Sequence, residues 1–194
     1  MLKQRYSDSV YEAGVDEAGR GCLAGDVYAA AVIFPPDYSN DAINDSKKLS
    51  AAKRRELADI IRRDAVAVGV GIATVREIDE LNILQCSMLA MKRALEQIRS
   101  TTPIEFIIVD GNRFPGVDYA PHATVVKGDA KYLSIAAASI IAKTMRDEAM
   151  IALSKEFPQY QWEINKGYPT KAHRAAIAEC GTTRHHRMTF KLLP

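Results

Sequence analysis

Short apolar runs bounded by turn residues alternate along the chain with longer amphipathic segments. Each run is rich in valine, isoleucine or alanine, which is the pattern of a β-strand. The second run stops at Pro35-Pro36, where proline would break a strand ladder. Residues 106–109 are continuously apolar, which is typical of a central strand covered on both faces. The predicted strands are residues 10–15, 26–34, 65–74, 106–109 and 123–126.

Helical periodicity marks the segments between these strands. Ser50 is a suitable N-cap for a helix that ends near Arg63. We expect one long helix from about Val75 to Ile98, because apolar residues recur there at helical spacing. Its predicted inner face is Ile83, Leu84, Met88, Met91 and Leu95. Two later helices are predicted over residues 134–157 and 171–179.

Strands mixed with helices in this order predict an α/β fold with a mixed central sheet flanked by helices. No linker rich in glycine, serine or proline divides the chain. We therefore expect a single domain over residues 1–194, in which residues from about 155 form a small C-terminal helical extension.

Composition narrows the functional classes. The three cysteines are far apart and show no CxxC spacing, so neither a disulfide framework nor a zinc site is expected. No apolar leader precedes Asp16, and residues 134–142 are too short to span a bilayer. We expect a cytoplasmic protein without membrane contact. A net charge of +2 neither requires nor excludes nucleic acid, so a basic surface would have to come from local clusters.

Four acidic residues stand out by their placement. Asp16 and Glu17 end the first predicted strand, and Asp110 ends the fourth. Helical spacing puts Asp147 on the same helix face as Lys143, and that helix could bring it over the strand ends. Taken singly, each acid is more simply a turn former or a solvated surface charge. Their joint placement after apolar strands favours a shared site, although spacing does not settle it.

Carboxylates that converge in this way need a compensating charge. Side by side they repel and cannot all remain ionised. Mg²⁺ or Mn²⁺ prefers such oxygen ligands, and two ions about 3.5–4 Å apart can clamp a phosphodiester. The four acids therefore predict a two-metal site for phosphoryl chemistry.

The turn Gly19-Arg20-Gly21 follows the first acids directly. Its glycines allow the backbone to approach a sugar or phosphate closely, and Arg20 could bind phosphate. An ordinary tight turn is the alternative. Neither a dinucleotide-binding fingerprint nor a Walker A motif is present.

Several loops could contact a substrate, and each also has a simpler explanation. Ser46, Lys47 and Lys48 could grip phosphate or merely precede a capped helix. Lys127 lies in a similar basic loop, where Asp129 could cap the next helix or lie near the acids. Tyr168 could stack on a base or sugar, or pack beneath a turn. Residues 184–187 (RHHR) are expected to be solvated or to face phosphate.

In their order along the chain, these motifs resemble the ribonuclease HII family, in its bacterial branch. Any one motif is weak, but the whole succession is specific and covers nearly the whole chain. The motifs are residues 15–21 (VDEAGRG), 23–25 (LAG), 45–49 (DSKKL), 109–111 (VDG), 127–129 (KGD), 134–140 (SIAAASI), 142–143 (AK), 146–147 (RD) and 167–170 (GYPT).

The resemblance implies an RNase H-like fold and carries the acidic ligands onto Asp16, Glu17, Asp110 and Asp147. It implies recognition of the ribose 2′-hydroxyl by residues 19–21 and stacking at the ribonucleotide–deoxyribonucleotide junction by Tyr168. The implied reaction cuts 5′ to a ribonucleotide, in RNA–DNA hybrids or at single ribonucleotides in duplex DNA, leaving 3′-hydroxyl and 5′-phosphate ends. The implied role is removal of misincorporated ribonucleotides. We expect a monomer; a sliding clamp is a conceivable partner, but residues 190–194 give it no support.

Three rival interpretations remain. A ribonuclease HIII-like enzyme would cut hybrids but handle single ribonucleotides poorly; it usually has an additional N-terminal domain, for which we expect no room before Asp16, and lacks the Gly-Arg-Gly turn. A non-catalytic hybrid-binding module should have lost an acid. A metal-dependent phosphatase for small substrates is disfavoured by basic loops spread along the chain.

Overall fold

Five strands form one sheet in the order β3-β2-β1-β4-β5 in the computed structural model, which describes residues 2–44, 46 and 49–193. Strand β1 pairs antiparallel with β2 and parallel with β4, while β2–β3 is antiparallel and β4–β5 is parallel. The predicted mixed sheet is thus confirmed. The strands are β1 Glu12–Ala18, β2 Val27–Ile33, β3 Ala67–Ala73, β4 Phe106–Asp110 and β5 His122–Val125.

Six α-helices accompany the sheet in the described part of the chain. As predicted, Ser50 caps the first, accepting a hydrogen bond from the Lys53 amide. The helices are α1 Ala51–Asp64, α2 Val75–Leu81, α3 Ile83–Arg99, α4 Leu133–Glu156, α5 Trp162–Asn165 and α6 Lys171–Cys180.

The single long helix predicted from Val75 to Ile98 is wrong, because Asn82 divides it into α2 and α3. Asn82 has a φ of 72°, which an α-helix does not allow but which asparagine tolerates. Its side chain accepts hydrogen bonds from the amides of Leu84 and Gln85 and so caps α3. Periodicity alone continued across this break because both helices bury apolar residues.

Apolar residues cover the sheet on both faces. One face packs mainly against α3, and the other packs against α1 and α4. Gly14, in the middle of β1, allows α4 to lie very close: a Cβ there would be 2.4 Å from the backbone carbon of Ser134. The start of α4 is therefore fixed directly over the strand that carries the first two acids.

The C-terminal part packs against the loop that follows β1. Tyr160, Trp162 and Ile177 form a buried cluster with Leu23 and Ala24 of that loop. Sequence periodicity did not predict α5, a single helical turn. No helix in the described part of the chain is long and apolar enough to cross a membrane.

Candidate active site

Asp16, Glu17 and Asp110 lie at the same end of the two central strands. Val15 of β1 pairs in parallel with Val109 of β4. The next residue on each strand is an acid, so Asp16 and Asp110 lie on adjacent strands roughly 5 Å apart along the hydrogen-bonding direction. The predicted meeting of these acids follows from the parallel pairing.

Burial and mutual repulsion act together on these acids. Asp16 is only 6% exposed, and its pKa is raised well above the ordinary value by desolvation, then by the charges of Glu17 and Asp110. Burial also raises the pKa of Glu17, which Arg20 opposes through an ion pair of 3.2 Å. A bound cation would relieve both penalties, and hard carboxylate oxygens are the ligands that Mg²⁺ and Mn²⁺ prefer. The donor chemistry fits, although no three metal-binding side chains in the described residues already converge as a formed cation site.

A short turn brings a further acid to this place. The Gly128 amide donates a hydrogen bond to Oδ1 of Asp110 at 2.6 Å. The next residue, Asp129, is 7% exposed and belongs to the 3₁₀ helix Gly128–Ala130. Of the two readings that the sequence left open for Asp129, its neighbour's bond to Asp110 favours a place near the acids.

Asp147 has a different environment. Its carboxylate accepts from Lys143 Nζ at 2.6 Å and from Arg54 Nη2 at 3.0 Å. Ser139, which bonds the Asp16 side chain, lies eight residues earlier on α4, about 12 Å along the helix axis. Asp147 therefore does not lie directly over the strand ends. The helical spacing predicted which face of α4 carries Asp147, but it does not determine the distance along the helix axis. Its role as a metal ligand stays a prediction.

The predicted phosphate-gripping loop is only partly described. Ser46 is 3% exposed, and its hydroxyl shares a hydrogen bond of 2.9 Å with Ser139. Ser46 therefore packs against α4, which argues against direct contact of its hydroxyl group with a substrate. Asp45, Lys47 and Lys48 lie outside the described residues.

The Gly-Arg-Gly turn has a buried and an exposed side. Gly19 is buried with a φ of 101°, and a Cβ there would collide with the Arg146 side chain at 2.1 Å. Arg20 and Gly21 are exposed. A small cavity beside the turn is lined by Glu17 and Asp110 together with Leu84 and Met88 of α3. Those two apolar residues, predicted to face the core, partly face this cavity instead.

A cationic surface surrounds Tyr168, a residue that is 38% exposed. Lys143 Nζ lies 5.3 Å from the ring centroid, and the Arg146 guanidinium lies 5.9 Å from it. Tyr168 and Lys143 line a cavity with Arg54 and Lys166. Arg54 and Lys166 were missed, since no sequence pattern joins residues so far apart. Lys127 is exposed and has a left-handed conformation, with a φ of 56°.

The second half of the basic segment 184–187 is buried, whereas the sequence predicted that the whole segment is solvated or faces phosphate; Arg184 alone is exposed. His186 is 1% exposed and Arg187 is fully buried. His186 packs against Tyr160 and Trp162, and Arg187 donates to backbone carbonyl groups. The prediction from charge was wrong for Arg187, because a buried arginine can satisfy its hydrogen-bond donors with backbone carbonyl oxygens.

Comparison with known proteins decides the family. The family profile described as "Ribonuclease HII" matches residues 13–193. The chain belongs to this family. Ribonuclease HII of Bacteroides fragilis is 59% identical over 193 residues, covering 100% of this chain and 95% of that protein. Ribonucleases HII are metal-dependent ribonucleases H, so this chain is an enzyme that acts on nucleic acid.

Solved structures confirm the RNase H-like fold. Ribonuclease HII in the structure of the PCNA:RNase HII complex from Archaeoglobus fulgidus has a TM-score of 0.77 and 26% identity, over 94% of this chain and 95% of that one. Bst-RNase HIII in complex with Mn²⁺ has a TM-score of 0.76 at 18% identity, over 93% of this chain and 67% of that one, which shows the fold alone.

Proposed function

We propose that this ribonuclease HII hydrolyses the phosphodiester 5′ to a ribonucleotide, in RNA–DNA hybrids and at single ribonucleotides in duplex DNA. The products are 3′-hydroxyl and 5′-phosphate ends. The observation that supports the proposal is the place of Asp16 and Asp110 directly after the paired residues Val15 and Val109 on adjacent parallel strands, beside Glu17 and the Gly-Arg-Gly turn. Metal-binding acids and ribose-recognising backbone then meet at one place.

Asp16, Glu17 and Asp110 would hold two Mg²⁺ or Mn²⁺ ions, with a fourth acid completing the set. When bound, the ions supply an activated water and stabilise the charge on the leaving oxygen. The chain keeps the acids poised: Gly128 orients the Asp110 carboxylate, and Ser139 bonds Asp16. The sequence assigned the fourth place to Asp147. The hydrogen bond from the Gly128 amide to Asp110 favours the next residue, Asp129, as the fourth acid in place of Asp147.

The turn formed by residues 19–21 would read the 2′-hydroxyl group, which is the feature that distinguishes RNA from DNA at one nucleotide. Arg20 would contact the adjacent phosphate while it remains close to Glu17. Tyr168 would stack on the sugar or base at the junction. The cations around Tyr168 would contact the phosphate backbone, and Lys127, Lys47 and Lys48 are further candidates for such contacts.

Removal of ribonucleotides misincorporated into DNA is the role that such a specificity would serve. We propose that the enzyme acts as a cytoplasmic monomer. The Archaeoglobus fulgidus relative was solved with PCNA. In this chain Phe190 packs against the core and against Arg187, so residues 190–193 give no argument for a clamp contact.

The substrate class is tested by cleavage of three labelled duplexes with Mg²⁺, with Mn²⁺ and with chelator. One is DNA with a single ribonucleotide, one an RNA–DNA hybrid and one all DNA. We expect metal-dependent cleavage 5′ to the single ribonucleotide and within the hybrid, with the DNA intact. Cleavage of the hybrid alone would favour the HIII-like alternative, and no cleavage by folded protein under either metal would favour the binding module.

A further inference from the structure

Two fully buried arginines lie behind the Gly-Arg-Gly turn. Arg187 donates through Nη1 to the Arg20 carbonyl at 3.0 Å, and through Nε and Nη2 to the Gly25 carbonyl at 3.0 and 2.7 Å. Arg146 donates to the carbonyls of Asp26, Ala24 and Lys166 at 3.1, 2.9 and 2.9 Å. These contacts are made to backbone rather than to carboxylates.

Burial of such a charge is costly. Desolvation lowers the pKa of Arg187 to about 10. A neutral residue could fill the same space without that penalty. What the guanidinium uniquely offers is a rigid planar set of donors that can hold two carbonyl groups in fixed directions.

The orientation of the Arg20 carbonyl determines the direction of a hydrogen-bond donor on the exposed side of the turn. The Arg20 carbonyl and the Gly21 amide belong to the same peptide group, which is planar and trans, so they point in opposite directions. Because Arg187 holds the carbonyl inward, the Gly21 N–H is directed outward. Gly21 is exposed, and a Cβ there would meet no atom within 4 Å.

The segment that carries Arg187 is itself bonded to the loop. The Gly25 amide donates to the His185 carbonyl at 2.8 Å, and the Arg187 amide donates to the Leu23 carbonyl at 2.9 Å. The Leu23 amide in turn donates to Gly167, the residue before Tyr168, at 2.8 Å. The C-terminal segment therefore holds the turn and the tyrosine loop in one framework.

We propose that Arg187 is a positioning residue for ribose recognition: by fixing the Arg20 carbonyl, it aims the Gly21 N–H at the 2′-hydroxyl oxygen of the substrate. The inference rests on the proposed function, in which residues 19–21 read the ribose. It assigns a substrate-directed role to a residue at the opposite end of the chain.

The test compares Arg187→Lys with a matched control, Arg174→Lys. Arg174 also donates to two backbone carbonyls, those of Lys191 and Leu192, at 2.9 and 2.6 Å. Lysine keeps the charge but loses the planar fork that bonds two carbonyls together. Binding is measured in chelator, so that no cleavage occurs, for two DNA duplexes that differ by one 2′-hydroxyl group. The readout is the ratio of the two dissociation constants.

We expect wild type and Arg174→Lys to share a preference for the ribonucleotide, and Arg187→Lys to lose about tenfold of it, comparable to one hydrogen bond. General affinity for the all-DNA duplex should stay unchanged. A folded Arg187→Lys protein that keeps the full preference overturns the inference and leaves the proposed function standing. A wild type without any preference overturns both.

A second measurement on wild type covers the case in which Arg187→Lys does not fold. The amide resonance of Gly21 is followed by NMR while each duplex is added in chelator. The inference predicts a shift with the ribonucleotide duplex that the all-DNA duplex does not produce. The same shift with both duplexes would overturn it.

Discussion

The Gly128 amide bonds Oδ1 of Asp110 at 2.6 Å, which joins the turn after β5 to the end of β4. The contact orients a carboxylate that the adjacent Asp16 and Glu17 repel. It also draws the following residue, Asp129, toward the same acids. This backbone contact supports Asp129 as the fourth acid, whereas helical spacing had pointed to Asp147.

Asp129→Asn and Asp147→Asn should have different effects. If Asp129 completes the acidic set, its amide variant should lower kcat by on the order of 10²-fold with little change in stability. Asp147→Asn leaves Arg54 and Lys143 without their shared carboxylate, so its main effect should be a loss of roughly 3 kcal/mol in the free energy of unfolding. Steady-state kinetics and urea unfolding distinguish the two. A stable but inactive Asp147→Asn beside an active Asp129→Asn would restore the sequence-based assignment.

Tyr168→Ala should weaken cleavage at single ribonucleotides by about tenfold or more, since stacking on one base or sugar contributes about 1–3 kcal/mol. Tyr168→Phe is the matched control, because it keeps the ring beside Lys143 and removes only the hydroxyl group. The measurement is kcat/KM at subsaturating substrate. Equal rates for wild type and Tyr168→Ala would remove the stacking role.

Gly14→Ala should lower the free energy of unfolding by about 2–4 kcal/mol, because the new Cβ would meet the backbone of Ser134 and Ile135 within 2.5 Å. Backbone cannot move aside as a flexible side chain would. Gly21→Ala is the control for stability, since its Cβ would meet nothing within 4 Å. Equal midpoints in urea for both variants would contradict the close packing of α4 on β1.

Two buried histidines in the C-terminal part are held neutral. Trp162 Nε1 donates to His173 Nε2 at 3.0 Å, so the His173 proton lies on Nδ1, facing the Tyr168 carbonyl at 3.0 Å. The Thr183 amide donates to His186 Nδ1 at 2.9 Å, so His186 carries its proton on Nε2, which faces His173 Nε2 at 3.3 Å. A second proton on either ring would face an existing donor.

Stability should consequently fall on mild acidification. Burial, then the neighbouring His173, lowers the pKa of His186 to about 4, whereas an unfolded histidine titrates near 6.5. Between these values the unfolded state binds a proton that the folded state does not. The contribution is full above about pH 6.5 and is lost toward pH 4, by at most about 3 kcal/mol. NMR titration of the His186 ring measures its pKa in the folded protein. A titration midpoint near pH 6.5 would contradict the lowered pKa and the predicted loss of stability.

Local pattern predicted the sheet and the proximity of Asp16, Glu17 and Asp110. Alternating and continuous apolar runs located all five strands, and parallel pairing then brought Asp16 beside Asp110. Local pattern did not predict the features that depend on contacts between residues far apart in the sequence. The ion pair of Arg54 with Asp147 joins positions 93 residues apart, and the burial of Arg187 depends on carbonyls 162 and 167 residues away. No spacing in the sequence encodes either contact.

The most direct test of the acidic site is the cleavage rate of Asp110→Asn on a DNA duplex with one ribonucleotide in Mg²⁺, with its unfolding temperature measured beside it. Asparagine keeps the oxygen that accepts from Gly128 and removes a charge that raises the pKa of both Asp16 and Glu17. We therefore expect a folded protein, at least as stable as wild type without metal, whose cleavage is lost. A folded Asp110→Asn enzyme that cuts at the wild-type rate would contradict the assignment.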